Sequence, residues 1–290
     1  MEIIPFSKLS NIHGVHDLLN KTTNAIKVLK LGEIITINIS NLKYITPIGF
    51  TSLLSIIGYL DKDYELKIKV PLDEKPITYM ERMNFLEICG ENIKTQFEQQ
   101  VDMDRIYNRT RYNLEGTLLE VKKAYDYDDI EEINESIKKI LKNKGIKGNR
   151  LSDIQTFITE LGNNVIDHTN SPCFISIKNN EQENEIEIAV SDTGDGIYKN
   201  LKKVLKGLSP DEVVSDAIMT KASSLYKDER GKGLMDVRQR AFRWSEEAQL
   251  YLRTHDSVYQ ISKGSVDALN KGEQAFGTFF QIKIRYPVDK

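Results

Sequence analysis

The N-terminal third of the chain shows strand-like and helix-like hydrophobic patterns in turn. Apolar and polar residues alternate with period two over Glu33–Ile39 and again over Leu66–Val70, which predicts two strands. An apolar run over Phe50–Leu60 predicts a helix between them. The pattern over Ile77–Cys89 predicts a second, amphipathic helix that ends at Gly90. A strand, a helix and a strand joined by short connections imply a parallel α/β unit.

A polar, charge-rich stretch over residues 97–128 separates this pattern from a second one, and it has strand character only around Thr117–Lys122. Helical periodicity follows over Asp128–Lys144 and through the apolar positions that begin at Ile154. The remaining predicted elements are a half-buried strand at Glu185–Val190, a helix at Met235–Trp244 and a strand at Thr278–Arg285.

The helix that contains Ile154 carries polar residues along one face. Glu160, Asn164 and His168 stand at i, i+4 and i+8, in a line about 100° around the helix from Leu161. Gly162 costs about 1 kcal/mol relative to alanine, which indicates a purpose other than stability. We interpret Glu160 as a group that activates a nucleophile and Asn164 as an oxygen ligand for Mg²⁺. A fraying, polar helix end with a solvated face gives the same pattern.

Two glycine-rich turns suit different parts of a nucleotide. Asp192, at the end of the strand Glu185–Val190, is placed to accept a hydrogen bond from an exocyclic amine such as that of adenine. Gly194 and Gly196 allow the backbone and a base to approach closely. The second turn, Gly231–Leu234, precedes a helix whose free N–H groups and positive dipole end favour phosphate oxygens. An ordinary Asp-Gly hairpin turn and a loop before a helix are the respective alternatives.

In this order, and together with Gly277–Phe280, these segments resemble the GHKL ATPase superfamily, which includes gyrase B subunits, MutL, histidine kinases and anti-sigma factor serine kinases. The resemblance covers roughly residues 128–287 and implies a Bergerat-type two-layer α/β sandwich with a mixed sheet. It implies ATP and Mg²⁺ as cofactors, Glu160 as the general base and residues 198–230 as a lid over ATP. The cofactor-binding residues that it implies are Asn164 (also the metal ligand), Asp167, His168, Asp192, Gly194, Gly196, Ile197, Gly231, Lys232, Gly233, Leu234 and Thr278.

The N-terminal third resembles a STAS domain, the fold of anti-sigma factor antagonists. Residues Ile35–Ile57 look like the strand of that family, its loop and its following helix. The antagonists carry a phosphorylated serine immediately before the loop glycine. Here Ile48 precedes Gly49, and an aliphatic side chain cannot accept phosphate. The neighbouring hydroxyl groups are those of Thr46, Thr51 and Ser52.

Composition sets limits on the chain and its partners. The 290 residues allow about two domains, and 40% apolar residues suffice to build a core. We place a STAS-like domain at residues 1–101, a connecting segment at 102–127 and a GHKL-like domain at 128–290. A net charge of −3 creates no single-sign field, so neither nucleic acid nor a membrane surface is an expected partner.

Several absent signals favour a cytoplasmic protein. The longest apolar stretch is far shorter than the about 20 residues that a membrane span needs. The start at Met1–Phe6 lacks the basic and apolar regions of a signal peptide. Cys89 and Cys173 fall in different predicted domains without metal-ligand spacing, so we expect reduced thiols.

Two functions fit these observations. The first is a Mg²⁺-dependent, ATP-binding regulatory protein, either a protein Ser/Thr kinase of the anti-sigma kinase type or an ATPase switch. Its expected partners are ATP and a protein, for which a STAS-like protein, a sigma regulator and a second copy of the chain in a homodimer are the candidates. The alternative is a non-enzymatic, ATP-gated interaction module. A histidine kinase is disfavoured because no histidine lies between His16 and His168. An ordinary α/β domain would require all the glycine motifs to be coincidental.

Overall fold

The computed structural model describes residues 1–108, 118–143, 145–180, 182–220 and 233–286. Across these ranges the chain forms a small parallel sheet near the N-terminus and a seven-stranded antiparallel sheet in the C-terminal part, with helices around both. This architecture confirms the predicted α/β class. In the part of the chain described, no helix combines the length and the apolarity that crossing a membrane requires.

The N-terminal part is built on parallel strands. A three-stranded sheet has the order β1-β3-β5, and β2 pairs with β4 separately. The elements are β1 (Glu2–Ile3), β2 (Lys8–Leu9), α1 (Ile12–Val28), β3 (Ile34–Asn38), β4 (Tyr44–Ile45), α2 (Pro47–Leu60), β5 (Glu65–Lys69), α3 (Glu74–Arg82), α4 (Phe85–Ile88), α5 (Glu91–Gln100) and α6 (Met103–Tyr107). The predicted strand–helix–strand unit corresponds to β3, α2 and β5.

Two local details differ from the sequence expectation. Helix α2 begins three residues early, because Pro47 occupies its first turn, where a missing N–H costs nothing. The single helix predicted at 77–89 is wrong: α3 ends at Arg82, and Asn84 adopts a left-handed φ of 58° before α4 starts. Gly49 allows β2 to approach α2, since a Cβ there would lie 2.2 Å from the Leu9 carbonyl oxygen.

Side-chain amides of α5 cover the free edge of β5. Gln96 donates to the Leu66 carbonyl at 3.0 Å and accepts from the Ile68 N–H at 2.8 Å. Gln100 repeats this pattern one turn later with Ile68 and Val70. Because an unpaired strand edge invites pairing with another chain, the glutamine ladder takes the place of a neighbouring strand.

The C-terminal sheet has the order β11-β10-β9-β12-β8-β7-β6. Its elements are β6 (Leu118–Ala124), α7 (Tyr127–Asn143), α8 (Gly148–His168), β7 (Cys173–Asn180), β8 (Glu185–Ser191), α9 (Gly196–Leu201), α10 (Pro210–Met219), α11 (Gly233–Trp244), β9 (Gln249–Thr254), β10 (Ser257–Ile261), β11 (Val266–Lys271) and β12 (Thr278–Arg285). Strand β6 lies in the stretch assigned to a connecting segment and forms one edge of this sheet.

All pairings between the described strands of this sheet are antiparallel, so the expectation of a mixed sheet is wrong. The reason lies in the connections. Two helices, α7 and α8, link β6 to β7. A helix pair returns the chain to the end of the sheet from which it left, whereas a single crossover helix would make the strands parallel. Short turns join β7 to β8 and β9 to β10.

The two faces of the large sheet pack against different parts of the chain. One face is apolar and packs on α7, α8 and α11, through residues such as Ile188 and Ile282. The opposite face is covered by α1 and α2 of the N-terminal part, and it carries the buried polar residues Glu187, Ser191 and Gln281. The prediction that the strand at Glu185–Val190 is half-buried is therefore wrong, because the N-terminal helices cover its polar face.

Candidate functional site

The turn after β8 is closed by a network around Asp192. Its carboxylate, 2% exposed, accepts a hydrogen bond from the Gly194 N–H at 2.6 Å. Its own N–H donates to the Thr278 carbonyl at 3.1 Å, and the Thr278 side chain also bonds to it. Gly277 donates its N–H to the Gly194 carbonyl at 2.6 Å. The structure thus brings the predicted adenine-binding residues Asp192 and Thr278 together.

The glycines of this turn are required by close backbone approaches. Gly196 and Gly277 both have φ of 76°, and a Cβ at Gly277 would lie 2.2 Å from the Asp192 carbonyl oxygen. A Cβ at Gly194 would lie 2.3 Å from the Thr169 methyl group, at the C-terminal end of α8. Only glycine fits these positions without backbone movement, so the turn holds a fixed shape against α8.

Burial raises the pKa of Asp192 to about 6, although hydrogen bonds from Gly194 and Thr278 favour the charged form. A carboxylate that is desolvated and yet ionised near neutral pH is an unusually strong acceptor for a polar ligand atom. The structure therefore provides an acceptor at the strand end where the sequence predicted one.

Glu160 lies against the N-terminal turn of α11. A Cβ on Gly233, the first residue of that helix, would lie 2.4 Å from Glu160 Oε2. This contact brings together residues from two segments that are more than 70 positions apart in the sequence. The positive end of a helix favours a nearby anion, which applies to the Glu160 carboxylate and to a phosphate group equally.

Charged groups of α11 surround Glu160. Burial raises its pKa, the charge of Asp236 raises it further, and Arg240 lowers it. Asp236 and Arg240 lie 3.9 Å apart on the same helix. A carboxylate with a raised pKa is a better proton acceptor near neutral pH, which suits a general base. Sequence reasoning missed Asp236 and Arg240, whose only signal was their helical spacing from Gly233.

The other predicted residues of α8 continue from Glu160 towards the Asp192 turn. Asn164 is half-buried, and its Nδ2 atom has no hydrogen-bond partner among the described residues. Asp167 accepts a hydrogen bond from the Tyr127 hydroxyl. His168 is the last residue of the helix, and burial lowers its pKa. Helix α8 thus connects the Glu160 end of the site with the Asp192 end.

Gly162 has a packing explanation. A Cβ there would lie 2.5 Å from Ile130 Cδ1, so the glycine lets α7 approach α8 closely. We expected this glycine to serve a purpose other than helix stability, and that purpose is the close packing of α7 on α8.

Two predicted residues lie in an apolar cluster on the lid side. Ile197 and Leu234 pack against Leu201, Val213 and Ala217. The Ile197 N–H also donates to Thr254 Oγ1 at 3.2 Å, which ties α9 to β9. Their side chains stabilise the packing of α9, α10 and α11.

The lid segment is described up to residue 220. Ser209 caps α10 with a complete capping box to Glu212. Asp211 accepts from the Tyr259 hydroxyl at 2.8 Å and pairs with Lys271 at 2.9 Å, which attaches α10 to β10 and β11. The predicted phosphate-binding residues Gly231 and Lys232 lie outside the described residues.

The N-terminal part reaches the site from the opposite face of the sheet. Ser55 of α2 shares a hydrogen bond of 3.0 Å with Ser191, the residue before Asp192. Tyr59, one turn later, stacks on Phe276 with ring centroids 3.6 Å apart, and Phe276 precedes Gly277. Two contacts of α2 therefore bear directly on the Asp192 turn.

A buried carboxylate holds the start of α2. Glu187 of β8 accepts from Thr46 Oγ1 at 3.0 Å and from Gln281 Nε2 at 2.7 Å, and burial raises its pKa. Sequence reasoning missed this residue, whose signal was a charged residue within a strand pattern.

The site residues are compatible with an oxygen-seeking cation beside a nucleotide. The expected metal ligand is the amide oxygen of Asn164, and the Glu160 carboxylate lies one turn before it on α8. The Asn164 atom without a partner among the described residues is Nδ2, which is a hydrogen-bond donor and not a metal ligand. In the described ranges, no group of three His, Cys, Asp or Glu side chains has the geometry of a metal site. Mg²⁺ is commonly held by one or two protein ligands together with substrate phosphates and water. The Mg²⁺ and ATP assignments remain predictions.

No family model matches the chain, and no curated protein matches it. Among solved structures, the SiaB–SiaC complex from Pseudomonas aeruginosa aligns over 66% of this chain and 98% of its own, with 13% identity and a TM-score of 0.34. A similarity of this size establishes neither a shared fold nor a shared partner.

Proposed function

We propose that this chain is a Mg²⁺-dependent, ATP-binding regulatory protein that hydrolyses ATP or transfers its terminal phosphate to a protein hydroxyl. The observation that carries the proposal is the convergence of Glu160 with Gly233 at the start of α11. The same helix α8 contacts the Asp192 turn through Thr169. One end of the site has an acceptor for a base, and the other has a helix N-terminus for phosphates.

The roles follow from these positions. Asp192 and Thr278 would hold the adenine amine, and the free N–H groups at Gly233 would face the phosphates. Glu160 would orient the attacking hydroxyl or water and accept its proton. Mg²⁺, with Asn164 as a ligand, would neutralise phosphate charge. Phosphoryl transfer needs positioning and charge stabilisation more than covalent chemistry, and this site offers both.

The position of α2 indicates which group could accept the phosphoryl group. Thr51, Ser52 and Ser55 are fully buried on α2, the helix that packs against the large sheet. Glu160 lies on the other side of that sheet, with α8. In the docked arrangement the sheet separates them, which favours water or a second protein as the acceptor. A STAS-like partner protein with an exposed serine has the chemistry required.

A second function, a non-enzymatic nucleotide-gated interaction module, is favoured by the contacts of α2. Ser55 touches the residue before Asp192, and Tyr59 stacks beside Gly277. The interface is also rich in polar groups, as interfaces between separable domains often are. Nucleotide at the Asp192 turn would change the docking of the STAS-like part, and by linkage docking would change nucleotide affinity equally.

Purified protein with γ-labelled ATP and Mg²⁺ distinguishes these functions. Released phosphate and protein-bound label are counted separately for the wild type, Glu160→Gln and the control Glu135→Gln. Glu135 is exposed on α7 and pairs with Lys138. Turnover that only Glu160→Gln abolishes supports the enzyme.

Tight ATP binding without turnover, in the presence and absence of STAS-like proteins, supports the gated module. Failure to bind ATP rejects both functions.

A further inference from the structure

A buried charged cluster holds α8 and α11 together at a distance from the nucleotide site. Asp153 of α8 is 1% exposed and accepts hydrogen bonds from three side chains of α11. The donors are Arg240 Nη1 at 2.7 Å, Trp244 Nε1 at 2.9 Å and the Arg243 guanidinium. Burying a carboxylate away from water is costly unless the group is paired and hydrogen-bonded. Asp153 is therefore held closely to these three donors.

We call Asp153 and its three donors on α11 the clamp. The clamp and the contact between Glu160 and Gly233 lie at the two ends of the α8–α11 helix pair. Asp153 meets Arg240, whereas Glu160 meets Gly233, so the helices run antiparallel. Seven residues separate Asp153 from Glu160, and seven separate Gly233 from Arg240. Seven residues are about two turns, or roughly 10 Å, on each helix. The spacing between the two contacts is therefore the same on both helices. If α11 slid along α8 at the clamp, Gly233 would move away from Glu160 by the same distance.

We propose that Asp153 is a positioning residue that sets the register of α11 and thereby keeps the N-terminal turn of that helix on Glu160. The assignment rests on the proposed ATP function and specifies how the phosphate end of that site is held. Arg240 connects the two ends directly, because it pairs with Asp153 and also approaches Asp236 beside Glu160. Asp153 stands two helical turns before Glu160, so both face α11.

The test uses the full chain and the variant Asp153→Asn, which keeps the side-chain volume and removes the charge. Hydrogen–deuterium exchange is followed in peptides from α11, α8 and β7, and steady-state ATP turnover gives kcat and KM separately. We expect exchange in α11 beyond its first turn, where the amides are bonded within the helix, to rise at least about tenfold, with α8 and β7 unchanged. We expect kcat to fall at least about tenfold and KM to change less, because the Asp192 turn is untouched.

Two further variants sharpen the test. Trp244→Phe removes one donor to Asp153 and keeps a smaller aromatic ring in its place, so it should show smaller changes in the same direction. It replaces Asp153→Asn if that variant does not fold. Glu135→Gln, in an exposed pair on α7, should change nothing.

Unchanged α11 exchange in both clamp variants overturns the proposal. Exchange that accelerates equally in α8 and β7 also overturns it, since the clamp would then contribute only general stability. A wild type that neither binds nor hydrolyses ATP rejects the proposed function, while the exchange data still decide whether Asp153 sets the helix register.

Discussion

Gly233→Ala separates the geometry of the candidate site from the stability of the fold. The added Cβ would lie 2.4 Å from Glu160 Oε2, and ordinary van der Waals contact begins at 3.4 Å. The Glu160 carboxylate must therefore move by about 1 Å, and a displacement of that size can cost about 100-fold in rate. The atom that must move, Glu160 Oε2, is at the end of a flexible side chain, so the backbone need not shift.

Stability should change in the other direction or not at all. Gly233 begins α11 without a positive φ, and alanine is favoured over glycine in helices by up to about 1 kcal/mol. We expect ATP turnover to fall about 100-fold while the urea midpoint stays level or rises slightly. The measurements are steady-state turnover and urea unfolding followed by circular dichroism.

Gly58→Ala is the matched control. Gly58 lies in α2, and a Cβ there would meet no atom within 4 Å among the described residues. It offers the same gain in helix propensity without touching Glu160, so turnover should remain at the wild-type level. Wild-type turnover in Gly233→Ala would refute the argument that the contact positions a catalytic carboxylate. A loss of stability above about 2 kcal/mol would show that the backbone, not Glu160, had yielded.

Three further substitutions test other parts of the structure. Asp192→Asn should weaken ATP binding about 10- to 100-fold, which is the contribution of a charge-assisted hydrogen bond, as calorimetry would measure. Its free energy of unfolding at pH 7, from urea titration, should equal or exceed that of the wild type, because a buried charge is removed. Glu187 holds its proton more tightly when folded, so the free energy of unfolding should fall as pH rises above the ordinary carboxyl value of 4.5; Glu187→Gln should flatten that slope in urea titrations from pH 4.5 to 8, and an unchanged slope would contradict the cause. Gln96→Ala should lower the free energy of unfolding by about 1 to 2 kcal/mol and expose the edge of β5. Gel filtration should therefore show more self-association than for the control Asn92→Ala, whose hydrogen bond to the strand is 3.5 Å long.

Much of the candidate site could be predicted because its signals are local. The glycines at 194, 196 and 277 are required by turn geometry, and Glu160 and Asn164 share a helix face through simple periodicity. The family resemblance assigned Glu160 and Gly233 to one nucleotide site, and their direct contact came from the structure. Asp153 and Glu187 escaped notice, because a single carboxylate in a helix or strand pattern does not reveal its partner.

The sequence by itself determined the α/β class, the parallel N-terminal unit, the capped start of α10 and the Asp192 turn. These features depend on periodicity, capping and backbone sterics over a few neighbouring residues. Tertiary structure alone decided that the C-terminal sheet is antiparallel, that α2 covers its polar face and that Asp153 pairs with Arg240 and Trp244 of α11. Such features depend on contacts between distant segments, whose energies are realised only when packing brings both partners out of water together.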